Sequence, residues 1–346
     1  MKVLFVGLGG IGQRHLRNIK ELLGDEIEVY AFRQRKYQFV LDNKLNIKKG
    51  LNLDKHYNIK NVNSLDEAFK NNIDIVFITN PTSMHMEILM KAAENKCSIF
   101  VEKPISHNLK NVDKLVTKLN EYKNITFVGF QNRFHPCIKE SKKLLEKNVI
   151  GQIVCVNIEI GENVRGWHKY EDYRKMYASR KDLGGGVILS QIHELDYIIW
   201  FLGMPKCVYA IGGKLSNLEI DVEDVASILL NYELNNKNIP VHIHEDYIQI
   251  PPSRKCKIIG TKGKIEFDLL NSTLVYYDED GNEMLNKVYE FERNDMFKEE
   301  LKVFIDAVKD KKRTIIPIEE GIKSLKMAIA IKESINKGNI INMNEI

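Results

Sequence analysis

The chain has 346 residues, of which 44% are hydrophobic and 28% are charged, and its net charge is +4. This length exceeds a comfortable single core, so two domains are expected, and the composition is that of a soluble globular protein. The charge is small and dispersed, which argues against a nucleic-acid partner. No run of 18 apolar residues occurs, so no membrane partner is expected either.

Five scattered cysteines lack the spacing of a metal or redox site, which indicates reduced thiols in a cytoplasmic protein. The apolar N-terminal run superficially resembles a signal peptide. It is short, however, and glycines and Arg14 follow it at once. We therefore interpret it as a first strand and expect a cytoplasmic location.

The first 130 residues alternate between short apolar runs and amphipathic stretches, as in a parallel sheet with helical crossovers. The predicted strands are Lys2–Val6, Glu28–Phe32, Asp74–Thr79, Ser98–Val101 and Ile125–Phe130. The predicted helices are Gly10–Leu23, Leu65–Asn71, Ser83–Asn95 and Asn108–Tyr122, with Ser64 and Ser83 as N-caps. The pattern predicts an α/β fold with a doubly wound parallel sheet over residues 1–130.

The pattern changes beyond residue 130, where a helix at Cys137–Lys147 leads into an alternating strand at Ile153–Ile160. A polar, aromatic loop and one long buried helix, Gly186–Leu202, follow. Further strands are predicted at Cys207–Gly212, Val225–Tyr232, Val241–Ile248, Lys255–Gly260, Lys264–Phe267 and Thr273–Tyr277, and final helices at Asp295–Lys309 and Ile318–Asn336. Residues 131–346 are therefore expected to form an α+β domain around a mostly antiparallel sheet.

A glycine loop lies at the first strand-to-helix turn, the context in which such a loop binds a dinucleotide. Gly7 permits the tight turn, Gly9 lets the backbone approach a pyrophosphate, and Gly12 allows close packing of helix on strand. The helix N-terminus at Gly10 and Ile11 supplies N–H donors for phosphate. The sequence therefore predicts a dinucleotide cofactor.

The choice between NAD and NADP depends on the end of the second strand, where an acidic residue would bind the ribose 2′-hydroxyl. That segment carries Arg33 and Arg35 and no carboxylate. Two arginines suit a 2′-phosphate, and Arg14 could join them. NADP is therefore favoured. NAD stays open, because the alternative is that these arginines are only surface charges at the end of a strand.

Thr79, Asn80 and Pro81 end another strand at the same edge of the sheet. Pro81 makes the turn rigid, and Asn80 or Thr82 could face the nicotinamide ribose. A plain loop before the next helix is the alternative.

Glu102, Lys103 and Pro104 follow a buried strand, at the sheet edge where open α/β sheets present groups to a ligand. Lys103 can polarise a carbonyl oxygen or stabilise a developing alkoxide. Glu102 either pairs with Lys103 or binds ribose, and a surface ion pair is the alternative for both. Pro104 biases Lys103 away from helical geometry, which helps to aim its side chain out from the sheet.

His193 titrates in the range needed for exchange of a hydroxyl proton, and it shares a helix face with Asp196. We predict that Asp196 orients the imidazole or stabilises its charged form. A purely structural histidine is the alternative.

Arg133 is predicted to clamp a carboxylate or phosphate of the substrate, or else to cross-link the domains. The aromatic loop near residue 170 suits stacking on a sugar ring, with a subunit contact as the alternative. Its candidate substrate-binding residues are Trp167, Tyr170, Tyr173 and Arg174. His242 and His244 lack a third ligand at suitable spacing, so no metal site is predicted.

Taken together, these motifs resemble the Gfo/Idh/MocA oxidoreductases, and the resemblance runs nearly end to end. It rests on the glycine loop with Gln13-Arg14-His15, on Thr79-Asn-Pro81 followed by His85, on Glu102-Lys103-Pro104, on Gly129-Phe-Gln-Asn-Arg133-Phe, on Gly184-Gly-Gly186 followed by His193-Glu-Leu-Asp196, and on Gly260-Thr-Lys-Gly263. It implies an N-terminal Rossmann domain, an open-faced C-terminal sheet used for substrate binding and oligomerisation, and a homodimer or homotetramer.

The resemblance also implies hydride exchange between a nicotinamide and a secondary alcohol or ketone of a sugar, a cyclitol or a nucleotide-sugar. It adds His85, Glu102, Lys103 and Gln131 to the cofactor-binding residues, and Gln191 joins Lys103 and His193 at the substrate. One departure stands out. Many relatives carry an aspartate three or four positions before the histidine, where this chain has Ser190 and Leu189.

That departure leaves more of the proton handling to His193 and Lys103, with His193 as the expected proton carrier.

Two other functions stay open: reduction of an imine or a conjugated system on the same fold, and a non-catalytic sensor of NAD(P) or sugar. Intact Lys103, His193 and Asp196 argue against a sensor.

Overall fold

A computed structural model describes residues 1–168 and 170–346. Its first half holds a six-stranded, fully parallel sheet in the order β5-β2-β1-β6-β7-β8, with a separate hairpin, β3-β4. The strands are β1 (Lys2–Val6), β2 (Glu28–Phe32), β3 (Phe39–Leu41), β4 (Ile47–Asn52), β5 (Ile59–Val62), β6 (Ile75–Ile78), β7 (Ser98–Glu102) and β8 (Thr126–Gly129). The helices are α1 (Gly10–Leu23), α2 (Leu53–Tyr57), α3 (Leu65–Phe69), α4 (His85–Glu94) and α5 (Val112–Tyr122).

The second half is built on a nine-stranded sheet in the order β16-β15-β14-β13-β9-β12-β11-β10-β17. Only β9 and β12 pair in parallel among its described strands. The strands are β9 (Ile153–Gly161), β10 (Cys207–Gly213), β11 (Val225–Leu234), β12 (Lys237–Asp246), β13 (Ser253–Gly260), β14 (Gly263–Asp268), β15 (Thr273–Asp278), β16 (Glu283–Val288) and β17 (Ile341–Asn342). The helices are α6 (Pro136–Glu146), α7 (Val187–Ser190), α8 (His193–Leu202), α9 (Arg293–Asp310) and α10 (Ile318–Lys337). The predicted fold class is confirmed.

A row of phenylalanines crosses the centre of the parallel sheet. Register places Phe5, Phe77, Phe100 and Phe127 side by side on β1, β6, β7 and β8, with ring centroids 4.7, 5.1 and 5.4 Å apart. Each side chain is fully buried, which stabilises the fold by roughly 1.5–3 kcal/mol per ring. Phe304 of α9 closes the row edge-on.

Helix α9 therefore packs on the first half of the chain although it lies far along the sequence. Its residue Asn294 accepts a hydrogen bond from Arg14 on α1, at 3.0 Å, and donates one to Asn18, at 2.9 Å. The division into a cofactor domain, 1–130, and a substrate and oligomerisation domain, 131–346, stays a prediction. The long-range packing of α9 shows that the two halves share part of one core.

Two local predictions are wrong. The predicted single helix Gly186–Leu202 is interrupted at Gln191 and Ile192, which separate α7 from α8. Ser83 does not cap α4, because a short 3₁₀ turn at Thr82–Met84 precedes that helix. Ser64 does cap α3, accepting from the backbone N–H of Glu67.

No helix within the described ranges combines the length and the apolar character that a membrane crossing requires. All five cysteines are free thiols, and Cys97, Cys137 and Cys256 are buried.

Candidate active site

The glycine loop between β1 and α1 has the geometry that a dinucleotide needs. Gly7 adopts φ +95°, and a Cβ on Gly12 would lie 2.4 Å from the carbonyl oxygen of Gly7. At Gly9, by contrast, no other heavy atom of the described residues lies within 4 Å of the Cβ position. The loop is thus closed toward the sheet and open at Gly9, where the backbone can approach a phosphate, and Ile11 lies in the first turn of α1.

The loop after β6 supports this turn. The hydroxyl of Thr79 donates to the carbonyl oxygen of Gly7, at 2.7 Å. His85 contacts two carbonyl oxygens, with Nε2 2.8 Å from that of Asn80 and Nδ1 2.9 Å from that of Pro104. His85 therefore ties the Asn80–Pro81 turn to the loop that follows β7. The side-chain Oδ1 of Asn80 is buried without a partner among the described residues, a free acceptor beside the cofactor loop.

The arginines predicted to select NADP are engaged by the protein. Arg33 is buried and donates to Asp54 and Asn61, both at 2.6 Å, and to a backbone carbonyl oxygen. Arg35 is half-exposed and donates to Glu171, at 3.1 Å. These contacts engage Arg33 within the protein and leave Arg35 as the more accessible cation.

Arg14 does not join them, contrary to the prediction. Its guanidinium is buried over the ring of Phe297, 4.7 Å from the centroid, and donates to Asn294 and to the carbonyl oxygen of Asn43. Burial, with Arg293 nearby, lowers the pKa of Arg14 to about 10. The residue fastens α1 to α9.

Glu102 points away from Lys103. Its Oε1 lies 2.7 Å from Nε2 of the fully buried His15, and its Oε2 accepts the backbone N–H of Lys103, at 3.3 Å. The side-chain pair of Glu102 with Lys103, one of the two alternatives, is wrong, because the carboxylate contacts His15 of α1 instead. The other alternative, that Glu102 binds ribose, stays a prediction.

Within the described residues Lys103 has a single acceptor, the carbonyl oxygen of Ser190 at the end of α7, 2.7 Å from Nζ. Desolvation lowers the pKa of Lys103 to about 8, with Arg254 and Arg293 acting in the same direction. An amine in this range exists in both protonation states near neutral pH, as acid–base work requires. The structure places this amine beside the α7–α8 junction that also carries His193.

His193 begins α8 and contacts Gln131 of the 3₁₀ turn at Gln131–Phe134, with 3.0 Å between Nε2 and the side-chain nitrogen. Its Nδ1 is buried without a partner among the described residues. Burial, with the charges of Lys103 and Arg254, holds the pKa of His193 well below its usual range. The imidazole is therefore neutral and offers hydrogen bonds rather than a charge.

Asp196 does not orient His193, contrary to the prediction. Its carboxylate takes two hydrogen bonds from Arg133, at 2.8 and 2.7 Å, and one from Ser324. Arg133 also donates to Glu320, at 3.0 Å, so its guanidinium joins α8 to α10. Arg133 thus forms the cross-link that the sequence left as an alternative, and its predicted contact with a substrate stays a prediction.

The predicted residues of the aromatic loop lie in three different parts of the structure. Lys169 of this loop lies outside the described residues. Trp167 packs edge-on against Tyr247, with 5.3 Å between ring centroids. Tyr170 reaches the glycine loop, where its hydroxyl accepts from the backbone N–H of Gly10, at 3.2 Å. Tyr173 is half-buried and Arg174 is exposed, and both contact Glu219. That Trp167, Tyr173 and Arg174 bind the substrate stays a prediction.

Several residues near Lys103 were not predicted. Arg254 of β13 makes two hydrogen bonds to the buried carboxylate of Glu194, at 2.8 and 2.9 Å. Glu245, at the end of β12, is fully buried, and neither of its oxygens has a partner in the described structure. Gln191, which was predicted at the substrate, donates to the carbonyl oxygen of Asp246, the residue after Glu245, at 3.1 Å. The available signal for Glu245 was a carboxylate at the inward position that follows Ile239, Val241 and Ile243 in β12.

Within the described residues no group of three or more histidine, cysteine, aspartate or glutamate side chains could hold a metal ion. His242 instead contacts the hydroxyl of Ser227, and His244 lies 3.3 Å from Asp246.

A parallel sheet with a glycine loop at its first turn, and a titratable lysine at the end of β7 on the same edge, indicate a dinucleotide-dependent enzyme. The chain belongs to the Gfo/Idh/MocA family. Residues 1–130 match its model for the "Oxidoreductase family, NAD-binding Rossmann fold", and residues 142–343 match that for the "Oxidoreductase family, C-terminal alpha/beta domain".

The chain is similar along its whole length to a myo-inositol 2-dehydrogenase from Thermotoga maritima, with 28% identity over 100% of this chain and 99% of the relative. Among solved structures it resembles myo-inositol 2-dehydrogenase from Lactobacillus plantarum, with a TM-score of 0.78 and 20% identity over 99% of both chains. It also resembles the WlbA dehydrogenase from Bordetella pertussis in complex with NADH and UDP-GlcNAcA, with a TM-score of 0.80 and 19% identity, covering 99% and 98%. These structural likenesses show the fold.

Proposed function

We propose that this protein transfers hydride between a nicotinamide dinucleotide and a secondary alcohol or ketone of a polyhydroxylated ring, a sugar or a cyclitol. The observation that carries the proposal is Lys103, an amine with a pKa of about 8 held 2.7 Å from Ser190 at the carboxyl edge of the parallel sheet. The likeness to dehydrogenases named for inositols supports the same substrate class.

Unsatisfied polar atoms around Lys103 support a substrate rich in hydroxyl groups. Buried atoms without a protein partner in the described structure are Oε1 of Gln131, Oε1 of Gln191, Nδ1 of His193 and both carboxyl oxygens of Glu245. Such atoms are costly in a folded protein unless a ligand satisfies them. Several hydroxyl groups on one ring would do so.

Lys103 is proposed as the proton carrier, which revises the division of labour that the sequence suggested. In reduction, its ammonium group donates a proton to the substrate oxygen; in oxidation, the neutral amine removes the hydroxyl proton. The bound nicotinamide supplies or accepts the hydride. His193 acts as a neutral hydrogen-bonding group on the substrate through Nδ1, and Gln131 fixes its ring.

For the cofactor we propose NAD(H), with NADP(H) as the second candidate. Arg33 is engaged by Asp54 and Asn61, which weakens the argument that it binds the 2′-phosphate of NADP(H). Arg35 is the group through which NADP(H) could still be favoured, because it is half-exposed. Homodimer or homotetramer assembly stays a proposal as well.

The test is a screen of cyclitols, free and acidic sugars, and nucleotide-linked sugars, followed by reduced-nicotinamide absorbance in both directions. We expect turnover with a ring alcohol that is lost in Lys103→Met. Lys142→Met is the matched control, because that lysine also donates to a backbone carbonyl, of Trp200, away from the site. If wild-type protein binds neither NADH nor NADPH, the proposed function is overturned.

A further inference from the structure

The glycine loop carries a contact from the opposite half of the chain. The hydroxyl of Tyr170 lies 3.2 Å from the backbone nitrogen of Gly10, and a Cβ on Gly10 would lie 2.9 Å from that hydroxyl. At Gly9, one residue earlier, no other heavy atom of the described residues lies within 4 Å of the Cβ position. Among the described residues, Tyr170 therefore covers one side of the loop and leaves the Gly9 side open.

Several contacts hold Tyr170 in this position. Its ring lies against Phe39 and Tyr37, with centroids 5.9 and 6.4 Å away. Arg35 binds the adjacent Glu171, at 3.1 Å, and the carbonyl oxygen of Lys175, at 3.2 Å. The segment 170–175 is thus attached to the chain that follows β2, the region where a dinucleotide places its adenosine ribose.

The Gly10 N–H belongs to the first turn of α1, whose N–H groups have no partner inside the helix. In this fold the N–H groups of the first helical turn point toward the pyrophosphate of the dinucleotide. The hydroxyl of Tyr170 lies 3.2 Å from one of these nitrogens, that of Gly10. Burial raises the pKa of Tyr170, so the phenol keeps its proton. A neutral hydroxyl can donate to a phosphate oxygen without the repulsion that a carboxylate would cause.

We propose that Tyr170 is a cofactor-binding residue supplied by the second half of the chain, and that its hydroxyl binds the dinucleotide's pyrophosphate. The inference rests on the proposed dinucleotide cofactor and assigns Tyr170 to it rather than to the substrate. Arg35 and Glu171 hold the segment in place.

The test compares Tyr170→Phe with wild-type protein in fluorescence titrations with NADH and with ADP-ribose, which contains the pyrophosphate and lacks the nicotinamide. A hydrogen bond to a charged group is expected to make both dissociation constants about tenfold larger in the variant. Tyr276→Phe is the matched control, because it removes the hydroxyl of a tyrosine on β15 in the second sheet, which donates to the carbonyl oxygen of Val149. Thermal unfolding of the free proteins checks that both variants fold.

A second experiment reverses the charges of the ion pair between Arg35 and Glu171, which holds the segment 170–175 in place. Arg35→Glu and Glu171→Arg should each weaken ADP-ribose binding several-fold, and the double variant should recover most of the loss. Unchanged or tighter binding in Tyr170→Phe would overturn the inference, since tighter binding would mean that the hydroxyl blocks the loop. Wild-type protein that binds no nicotinamide nucleotide at all would instead overturn the proposed function.

Discussion

Arg133 holds the carboxylate of Asp196 through two hydrogen bonds of 2.8 and 2.7 Å, and both side chains are buried. Arg133 lies in the 3₁₀ turn Gln131–Phe134. Gln131 of this turn contacts His193, which lies one helical turn before Asp196 on α8. Two parallel contacts therefore join this turn to α8. One fixes the imidazole, and the other fixes the helix.

Asp196→Asn should lower the free energy of unfolding, by at most about 3–5 kcal/mol, because the buried guanidinium of Arg133 loses one of its two ionic partners and keeps Glu320. Adding Arg133→Met should recover much of that loss. Urea denaturation at pH 7 measures both effects. Asp172→Asn, which breaks an exposed pair with Arg174, should leave stability unchanged. A stable Asp196→Asn protein with only an altered pH profile would restore the role predicted from the sequence.

That role was misassigned because helical spacing identifies a shared face and not the partner on it. His193 and Asp196 are both buried, as their spacing predicts, yet their partners lie 62 and 63 residues earlier in the chain. A contact across such a distance depends on how α8 packs against the 3₁₀ turn. Glu102 illustrates the same limit: its strand end was predicted, but its partner His15 lies on α1.

Lys103 should impose a pH dependence centred near 8 on the chemical step. Reduction needs the ammonium form, so its rate should fall as the pH rises through that value. Oxidation needs the free amine, so its rate should fall as the pH drops below it. Rates of both directions between pH 6 and 10, under saturating substrate, measure this. Lys103→Met should lose at least about 100-fold in turnover and the titration with it.

His193→Asn should reduce turnover while leaving the titration near pH 8 in place. The reason is that burial and the charges of Lys103 and Arg254 keep His193 neutral across this range. The pH profile of kcat in the variant is the measurement. If the profile lost its titration and Lys103→Met kept it, His193 would be the proton carrier, as the sequence suggested.

Elements fixed by local patterns were predicted well. The bounds of β1, β2 and α1 agree with the apolar runs and the glycine loop, because burial on both faces of a parallel strand leaves a continuous apolar signal. Strand β16 was missed because its residues are mostly exposed and it pairs only with β15. The break between α7 and α8 was also missed, since every residue from Val187 to Ile199 is buried and no polar residue faces solvent to mark it.

A comparison of Arg33→Ala with Arg35→Ala should show which arginine stabilises the fold and which one affects the choice between NADH and NADPH. Arg33 binds Asp54 and Asn61, so its loss should lower the melting temperature and leave the ratio of NADH to NADPH affinity nearly unchanged. Arg35 is half-exposed, so its loss should reduce any affinity for NADPH relative to NADH. Fluorescence titration with both nucleotides measures the ratio. A large shift in that ratio for Arg33→Ala would show that Arg33 reads the 2′-phosphate.

Glu245→Gln should stabilise the protein increasingly as the pH rises above about 4.5, the ordinary value for glutamate. Burial, with Glu194 and Glu223 nearby, holds the pKa of Glu245 well above that value, against the opposing charges of Arg254 and Lys103. The folded state therefore binds a proton that the unfolded state has lost, so wild-type stability falls as the pH rises toward the folded pKa. Glutamine cannot ionise and avoids this loss.

Urea denaturation of wild type and Glu245→Gln at pH 5 and pH 8 measures the difference, which should grow by about 1.4 kcal/mol for each unit of raised pKa that the pH crosses. Glu233→Gln, at an exposed position of β11, should show no such trend. Parallel pH dependence in wild type and Glu245→Gln would mean that the carboxyl finds a partner in solution. A variant that is more stable at pH 8 and yet loses turnover would instead place the unpaired carboxyl of Glu245 among the groups that hold the substrate, because the chain would retain it at a cost in stability.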